Sequence, residues 1–264
     1  MAKLKAGAIT DKDLATFVAD DSDFAFEMQV LAQLRALEFE CSHAGTYQDP
    51  VTSKIRQFDI RALKRDGAFL LALGIECKNL RPNHPLLLSA VPRIAAEAFH
   101  DLVFCDTNPI VTRIRAVNDA VYRVGEMVGK KTDQVGRDAN DDLVSDDTTT
   151  FDKLNQAVNS CRDLVMDAVN KRPPHDTRVV APVLIVPQGR LWQVDYGSDG
   201  KMAIAPRNVT RSTLFINHTW SVETGHPSRI VDYRMSHLEI VTIDALPSVV
   251  SMWFGPSGFR SFKP

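Results

Sequence analysis

Lys-Ile-Arg-Gln-Phe-Asp-Ile-Arg-Ala-Leu (54–63), followed by Ala-Leu-Gly-Ile-Glu-Cys-Lys-Asn (72–79), is the stretch that decides the fold. Apolar and β-branched residues dominate both pieces, which suits strands. Asp66-Gly67 between them is a hairpin signal. Side chains alternate along a strand, so Glu76 and Lys78 share one face while Ile75 and Cys77 take the other. Asp59 stands between Phe58 and Ile60, which point away from it. Pairing about Asp66-Gly67 can bring Asp59 near Glu76 and Lys78, with the register left open by parity alone. Two carboxylates and an ammonium on one face of a mostly apolar hairpin need an explanation, because unpaired charge is costly to bury.

A metal site would supply one. Asp59, Glu76 and the backbone carbonyl of Cys77 offer hard oxygen ligands to Mg²⁺, with Mn²⁺ as a substitute, and leave positions for water and a phosphate oxygen. Lys78 can orient or deprotonate the attacking water and steady the charge that builds on the phosphate. The chemistry is metal-assisted phosphodiester hydrolysis. The plainer reading is a surface Glu-x-Lys in a half-exposed strand, with Asp59 merely a neighbour. Upstream, Ser22 or Asp23 can cap a helix in which Phe26, Val30, Leu34 and Leu37 recur at helical spacing. Glu27 lies on or beside that apolar face. A carboxylate there wants a partner or a metal, or else it snorkels to water.

The order Glu27, Asp59, Glu76-Cys77-Lys78 resembles the PD-(D/E)xK nuclease superfamily, which includes restriction endonucleases and Holliday-junction resolvases. That family's core is a helix carrying a Glu, then a strand carrying an Asp, then a strand carrying Glu-x-Lys. The match covers residues 20–95, and Gln-Phe-Asp-Ile lacks a Pro before the Asp, a departure common in the family. The resemblance implies a Mg²⁺-dependent endonuclease acting on DNA, in a restriction, defence or repair role. It implies that Asp59 and Glu76 hold the metal, that Lys78 serves the nucleophilic water, and that Glu27 tunes or completes the metal shell. Gln57 shares a face with Asp59 and would support the ligands from behind. Arg56 and Arg61 point to opposite faces, and parity favours Arg61 at the phosphate. Double-strand cleavage would suit a homodimer with two sites. The alternative is a catalytically silent nucleic-acid-binding or assembly module on the same fold, which binds without cleaving. A third reading is an unrelated α/β binding protein in which the match is accidental.

The chain has 264 residues, 44% hydrophobic and 24% charged, the mix of a soluble globular protein. The expectation is one domain over 1–264: an α/β protein with a mixed central sheet flanked by helices, a restriction-endonuclease-like core and a helical elaboration at 109–170. No apolar run approaches the roughly 20 residues of a membrane span, and Met-Ala-Lys-Leu-Lys-Ala-Gly is too short in its apolar part for a secretory signal. Cys41, Cys77, Cys105 and Cys161 form no Cys-x-x-Cys pair and read as reduced thiols of a cytoplasmic protein. A net charge of −2 makes the whole chain no magnet for nucleic acid. Lys54, Arg56, Arg61, Lys64 and Arg65 nevertheless cluster against a single acid, Asp59, as phosphate contacts or as decoration of a strand edge.

The remainder organises around this core. Residues 1–22 are polar and expected to be loose. A 4-3 spacing of Ile110, Ile114, Val117, Val121, Val124 and Val128 predicts a helix over 109–128 after a turn at Asn108-Pro109. Lys130–Thr150 reads as a polar loop. Phe151, Leu154, Val158, Cys161, Val165 and Ala168 predict a second helix to Asn170, ended by Lys171-Arg172-Pro173-Pro174. Val179–Pro187 reads as a strand buried on both faces. Strands are also expected at 191–196, 202–205, 214–220 and 238–243, with a short helix from Leu246. His84 and His100 lack a ligand-spaced partner and read as structural. No phosphate-cradling Gly-rich loop and no Gly-x-Ser-x-Gly appears, which takes weight from the common nucleotide-cofactor and serine-hydrolase readings.

Overall fold

The computed structural model describes residues 7–20, 22–105, 111–145, 148–170, 175–223 and 230–261. In chain order its elements are α1 (Asp11–Asp20), α2 (Asp23–Ala36), β1 (Glu40–His43), β2 (Thr46–Gln48), β3 (Ile55–Gln57), β4 (Ile60–Asp66), β5 (Phe69–Cys77), β6 (Leu86–Pro92), β7 (Phe99–Cys105) and β8 (Val111–Val117). They continue with β9 (Met127–Arg137), β10 (Leu143–Ser145), α3 (Thr148–Asn170), β11 (Asp176–Val186), β12 (Leu191–Tyr196), β13 (Met202–Asn208), β14 (Arg211–Glu223), β15 (Ile230–Thr242) and α4 (Leu246–Phe254).

The fold is α/β, with a large mixed sheet flanked by helices. Its main path runs β1-β4-β5-β11-β15-β14-β9-β6-β12-β13, while β2 and β3 form a separate ribbon. The β4–β5 hairpin forms as its turn residues dictate. The strands pair antiparallel from Asp66↔Phe69 to Ile60↔Ile75. Gly67 adopts φ +58°, the left-handed conformation such a turn requires. β11 pairs parallel with β5 on one side and β15 on the other. It is buried along its whole length, as its unbroken apolar run predicts.

Alternation along β5 divides the core into two layers. Leu71, Leu73, Ile75 and Cys77 join the cluster under α2 and α4, whereas Ala72 joins the cluster under α3. Leu71, Leu73 and Ile75 are wholly buried, and each such side chain contributes about 1.5–3 kcal/mol. α3 buries Leu154, Ala157, Val158, Cys161, Leu164 and Val165, a stripe of helical period. It lies close on β5 at Gly74, where a Cβ would come within 2.4 Å of Cys161 Sγ and 3.3 Å of Ala157 O. The helix fits there because glycine has no side chain.

Several expectations are corrected. The segment expected as a helix over 109–128 contains β8 and, after a turn, the start of β9. Its apolar stripe consists of Ile and Val, so the spacing that resembles a helical stripe is carried by β-branched side chains that favour a pleated sheet. Arg113 and Arg115 share one side of β8 and both bond Asp101 of β7. Of the segment 130–150 expected as a loop, the described residues 130–145 are mostly strand: β9 pairs with β6 and β10, and sheet pairing satisfies the backbone of these polar residues. The helical elaboration therefore reduces to α3. Phe151, assigned to its buried stripe, is 62% exposed. Within 1–22, residues 11–20 are helical, and Thr10 and Asp13 cap the start reciprocally at 2.9 and 3.2 Å. Ser22 occupies the N-cap of α2 without a side-chain cap bond. The expected turn at Asn108-Pro109, Ile110 and the helix stop at 171–174 lie outside the described residues. No helix among the described residues is long and apolar enough to cross a membrane.

Candidate active site

The strand carrying Asp59 is interrupted. β3 ends at Gln57, β4 begins at Ile60, and Phe58 and Asp59 lie between. Phe58 N–H donates to Gly45 O at 2.9 Å, and Asp59 O accepts from Ala44 N–H at 3.0 Å. Freed from the ladder, the Asp59 carboxylate turns to β5 and accepts the Cys77 N–H at 2.8 Å. The hairpin register continues past Ile60↔Ile75 and sets Asp59 opposite Glu76, whose Oε1 accepts the Asp59 N–H at 3.4 Å. A strand residue points its N–H and C=O to the same edge, so the Cys77 carbonyl also faces the Asp59 side.

Glu76 is wholly buried. Like Gly74 two residues earlier it faces α3, and the close seat of the helix brings Lys153 over it. Lys153 Nζ donates to Asp59 Oδ2 at 2.8 Å and to Glu76 Oε2 at 3.1 Å. Burial, and then the Asp59 carboxylate, push Glu76 up to about 8. Burial works against the Lys153 ammonium, but Glu76 and Asp59 outweigh it and raise its pKa above the ordinary value.

Glu27 reaches the same place from the other layer. The start of α2 is pinned where Asp23 Oδ1 accepts the Asn79 N–H at 3.0 Å, just beyond the end of β5. One turn on, Glu27 is 13% exposed and hydrogen-bonds His43 Nε2 at 3.1 Å. Its pKa is raised, first by burial and then by Asp59, against the pull of His43 and Lys153. Nearby, Tyr47 OH is buried without a hydrogen-bond partner. Burial and the Glu76 and Asp49 carboxylates push that phenol up to about 12.

The structure thus brings Glu27, Asp59, Glu76 and the Cys77 backbone together. It does not bring Lys78 to them. β5 ends at Cys77, Lys78 N–H continues the ladder to Ile185 O at 2.9 Å, and its half-buried side chain makes no ion pair with a described residue. Lys153, ninety-four residues from Asp59 in sequence, holds the place expected of it. Gln57 is exposed and donates to Ala44 O at 3.1 Å. Arg61 is spent on α3, with Nη2 2.9 Å from both Ser160 O and Asp163 Oδ2, and its guanidinium covers the Phe58 ring at 4.3 Å. Most of the basic run is likewise neutralised within the fold: Arg56 pairs with Asp49, Lys64 with Glu38 and Arg65 with Asp176. The sequence reading also missed His43 and Lys153. The signal for Lys153 was its place in the first turns of a helix otherwise apolar on that side. Nothing marked its partner.

Among the described residues, no group of three or more His, Cys, Asp or Glu side chains is disposed to hold a metal ion as it stands. The Lys153 ammonium bridges the two carboxylates that would be the ligands. The donor set itself fits a hard cation, because Mg²⁺ needs only one or two carboxylates beside water and phosphate oxygens. One lysine faces three neighbouring acids, Asp59, Glu76 and Glu27.

A second buried charged cluster lies among β14, β15 and the end of β6. Arg211 makes a two-pronged bond to Glu239 at 2.8 and 3.0 Å, and Tyr122 OH donates to Glu239 Oε1 at 2.8 Å. Arg93 donates to Thr213 Oγ1 at 3.0 Å, His237 Nε2 at 3.2 Å and Glu126 Oε2 at 3.3 Å. Burial, and then Arg93, push His237 down to about 2. His100, expected to be structural, is buried between Tyr122 and Phe259.

Comparison of the chain with protein-family models, with curated proteins and with solved structures gives no match.

Proposed function

We propose that this protein is a divalent-metal-dependent phosphodiester hydrolase acting on DNA, a PD-(D/E)xK-type nuclease whose working lysine is Lys153. The observation that carries the reading is the meeting of Asp59, Glu76 and Lys153 within 3.1 Å at the end of β5. The chain order of α2 with Glu27, β4 led by Asp59, and β5 with Glu76 supports it. So does the acid excess.

Asp59 and Glu76, with the Cys77 carbonyl, would hold Mg²⁺ or Mn²⁺, which when bound supplies Lewis acidity toward a phosphate oxygen. Asp59 is preoriented by the Cys77 N–H, so little ordering remains for ligand binding to impose. Lys153 stays an ammonium because its pKa is raised. It therefore acts by steadying negative charge as it builds on the phosphate, not by taking a proton. The proton of the attacking water falls to Glu27, a partly buried carboxylate with elevated proton affinity that His43 holds in place.

The test is incubation with plasmid and single-stranded DNA under Mg²⁺, Mn²⁺ and EDTA, beside Asp59→Ala and Lys153→Met. Metal-dependent nicking lost in both variants is the expected result. Cleavage that survives Asp59→Ala would end the proposal. One observation favours a second reading, a silent nucleic-acid-binding module: Lys153 already bridges both carboxylates. That module binds DNA and cleaves none at any divalent-ion concentration.

A further inference from the structure

The sheet face that carries α3 is only partly roofed. A helix is about 10 Å across and strands lie about 4.8 Å apart, so α3, seated on β5 and β11, meets only part of β14. Between the helix and strands β14 and β9 lies a cleft of about 680 Å³, walled by Val158, Leu214, Ile216 and Leu238. A more polar cavity of about 350 Å³ continues from it toward Asp49 and Arg56, and Asp152, Asn155 and His218 line both. The cleft is within the size range of small-molecule sites.

Its polar groups limit the ligand. His218 Nε2 is shielded from solvent and has no hydrogen-bond partner. Burial lowers the pKa of this imidazole, so at neutral pH the ring is uncharged, and with Nε2 closed off it is Nδ1 that can meet a ligand. Asn155 adds an amide and Asp152 an acceptor. The ammonium groups at the rim, Lys130 and Lys131, are already paired with Glu97 and Asp133, so the cleft does not favour a run of phosphates. Apolar walls, an uncharged imidazole and an amide suit a flat ring with a donor–acceptor edge. We infer that this cleft binds a nucleobase, either of a free nucleoside or nucleotide or of one unstacked residue in a strand. The strand source rests on the nuclease reading, because the other side of α3 carries Lys153.

The experiment is calorimetric titration of the full chain in EDTA, with each of four nucleosides and with a short single-stranded oligonucleotide and its abasic counterpart. Asn155→Leu and Ile216→Phe are measured alongside, each checked for unchanged thermal unfolding. Trp220, whose ring lies 4.1 Å from His218, gives a local fluorescence report of the same event. Saturable binding, weakened at least about tenfold in both variants, is expected. Binding of nucleosides identifies the free source; binding only of the base-bearing oligonucleotide identifies the strand. No saturation by any probe overturns the inference, and so does binding that both variants leave unchanged. The titration needs no metal and no turnover. An empty cleft therefore leaves the cleavage assay to judge the nuclease reading, and absent cleavage leaves a filled cleft standing.

Discussion

The two buried charged clusters are built on different accounts of charge. Around Glu239, two arginines meet two glutamates, and the tyrosine and histidine between them are hydrogen-bonded to the same groups. Around Glu76, three carboxylates meet one ammonium, one of them held by a histidine. The first cluster is complete within the chain and fastens β6, β14 and β15 together. The second has more acids than bases at the end of two parallel strands, where α/β sheets place their ligands. Burial alone does not mark a functional site, since both are buried. The difference lies in whether the partners are all present.

That contrast can be broken experimentally, and the largest effect belongs to the complete cluster. Arg211→Met leaves Glu239 buried without its bidentate partner and should cost about 3–5 kcal/mol in urea unfolding, with no recovery on adding Mg²⁺. Lys153→Met should cost less, about 2 kcal/mol at pH 8. The carboxylates can take up protons instead, so the loss should shrink at pH 5, and Mg²⁺ should restore stability at pH 8. If Mg²⁺ treats the two variants alike, the distinction fails.

For the unaltered chain, saturating Mg²⁺ should raise stability by about 1–3 kcal/mol, read as a shift in thermal midpoint that Asp59→Asn removes. Glu76 adds a pH signature. Its proton affinity rises from an ordinary 4.5 to about 8 on folding, so the folded chain holds a proton that the unfolded chain releases. The associated stability is full below pH 4.5 and declines as pH rises toward 8. Glu76→Gln should flatten that decline in the absence of metal. The smallest effect is expected of Lys78→Ala, within about 0.5 kcal/mol, with DNA cleavage unaffected.

Much of the fold was legible because local chemistry and tertiary context agree. The Asp66-Gly67 turn, the buried run of β11 and the apolar stripe of α3 each admit one solution. The helix expected at 109–128 failed where they disagree: Ile114 and Val117 satisfy a helical period by count, yet β-branching and pairing with β7 favour strand, and Val121 and Val124 fall in the turn before β9. At the candidate site, Asp59 and Glu76 were legible because a hairpin fixes their separation. Lys153 was not, because helix packing across the β5–β11 crossover sets its position, and no local pattern encodes that. Gln57 and Arg61 were misplaced for separate reasons. For Gln57, strand parity was carried through Phe58-Asp59, where the strand breaks; Arg61 keeps the α3 face but is taken up by Ser160 and Asp163.

Gly74 acts as a spacer of zero thickness. It contributes no atom to the acids or to the lysine, yet it sets how near the roof hangs above the floor. A chain that acquired alanine there would retain every charged residue discussed above and still push the helix, and the ammonium with it, away from the acids.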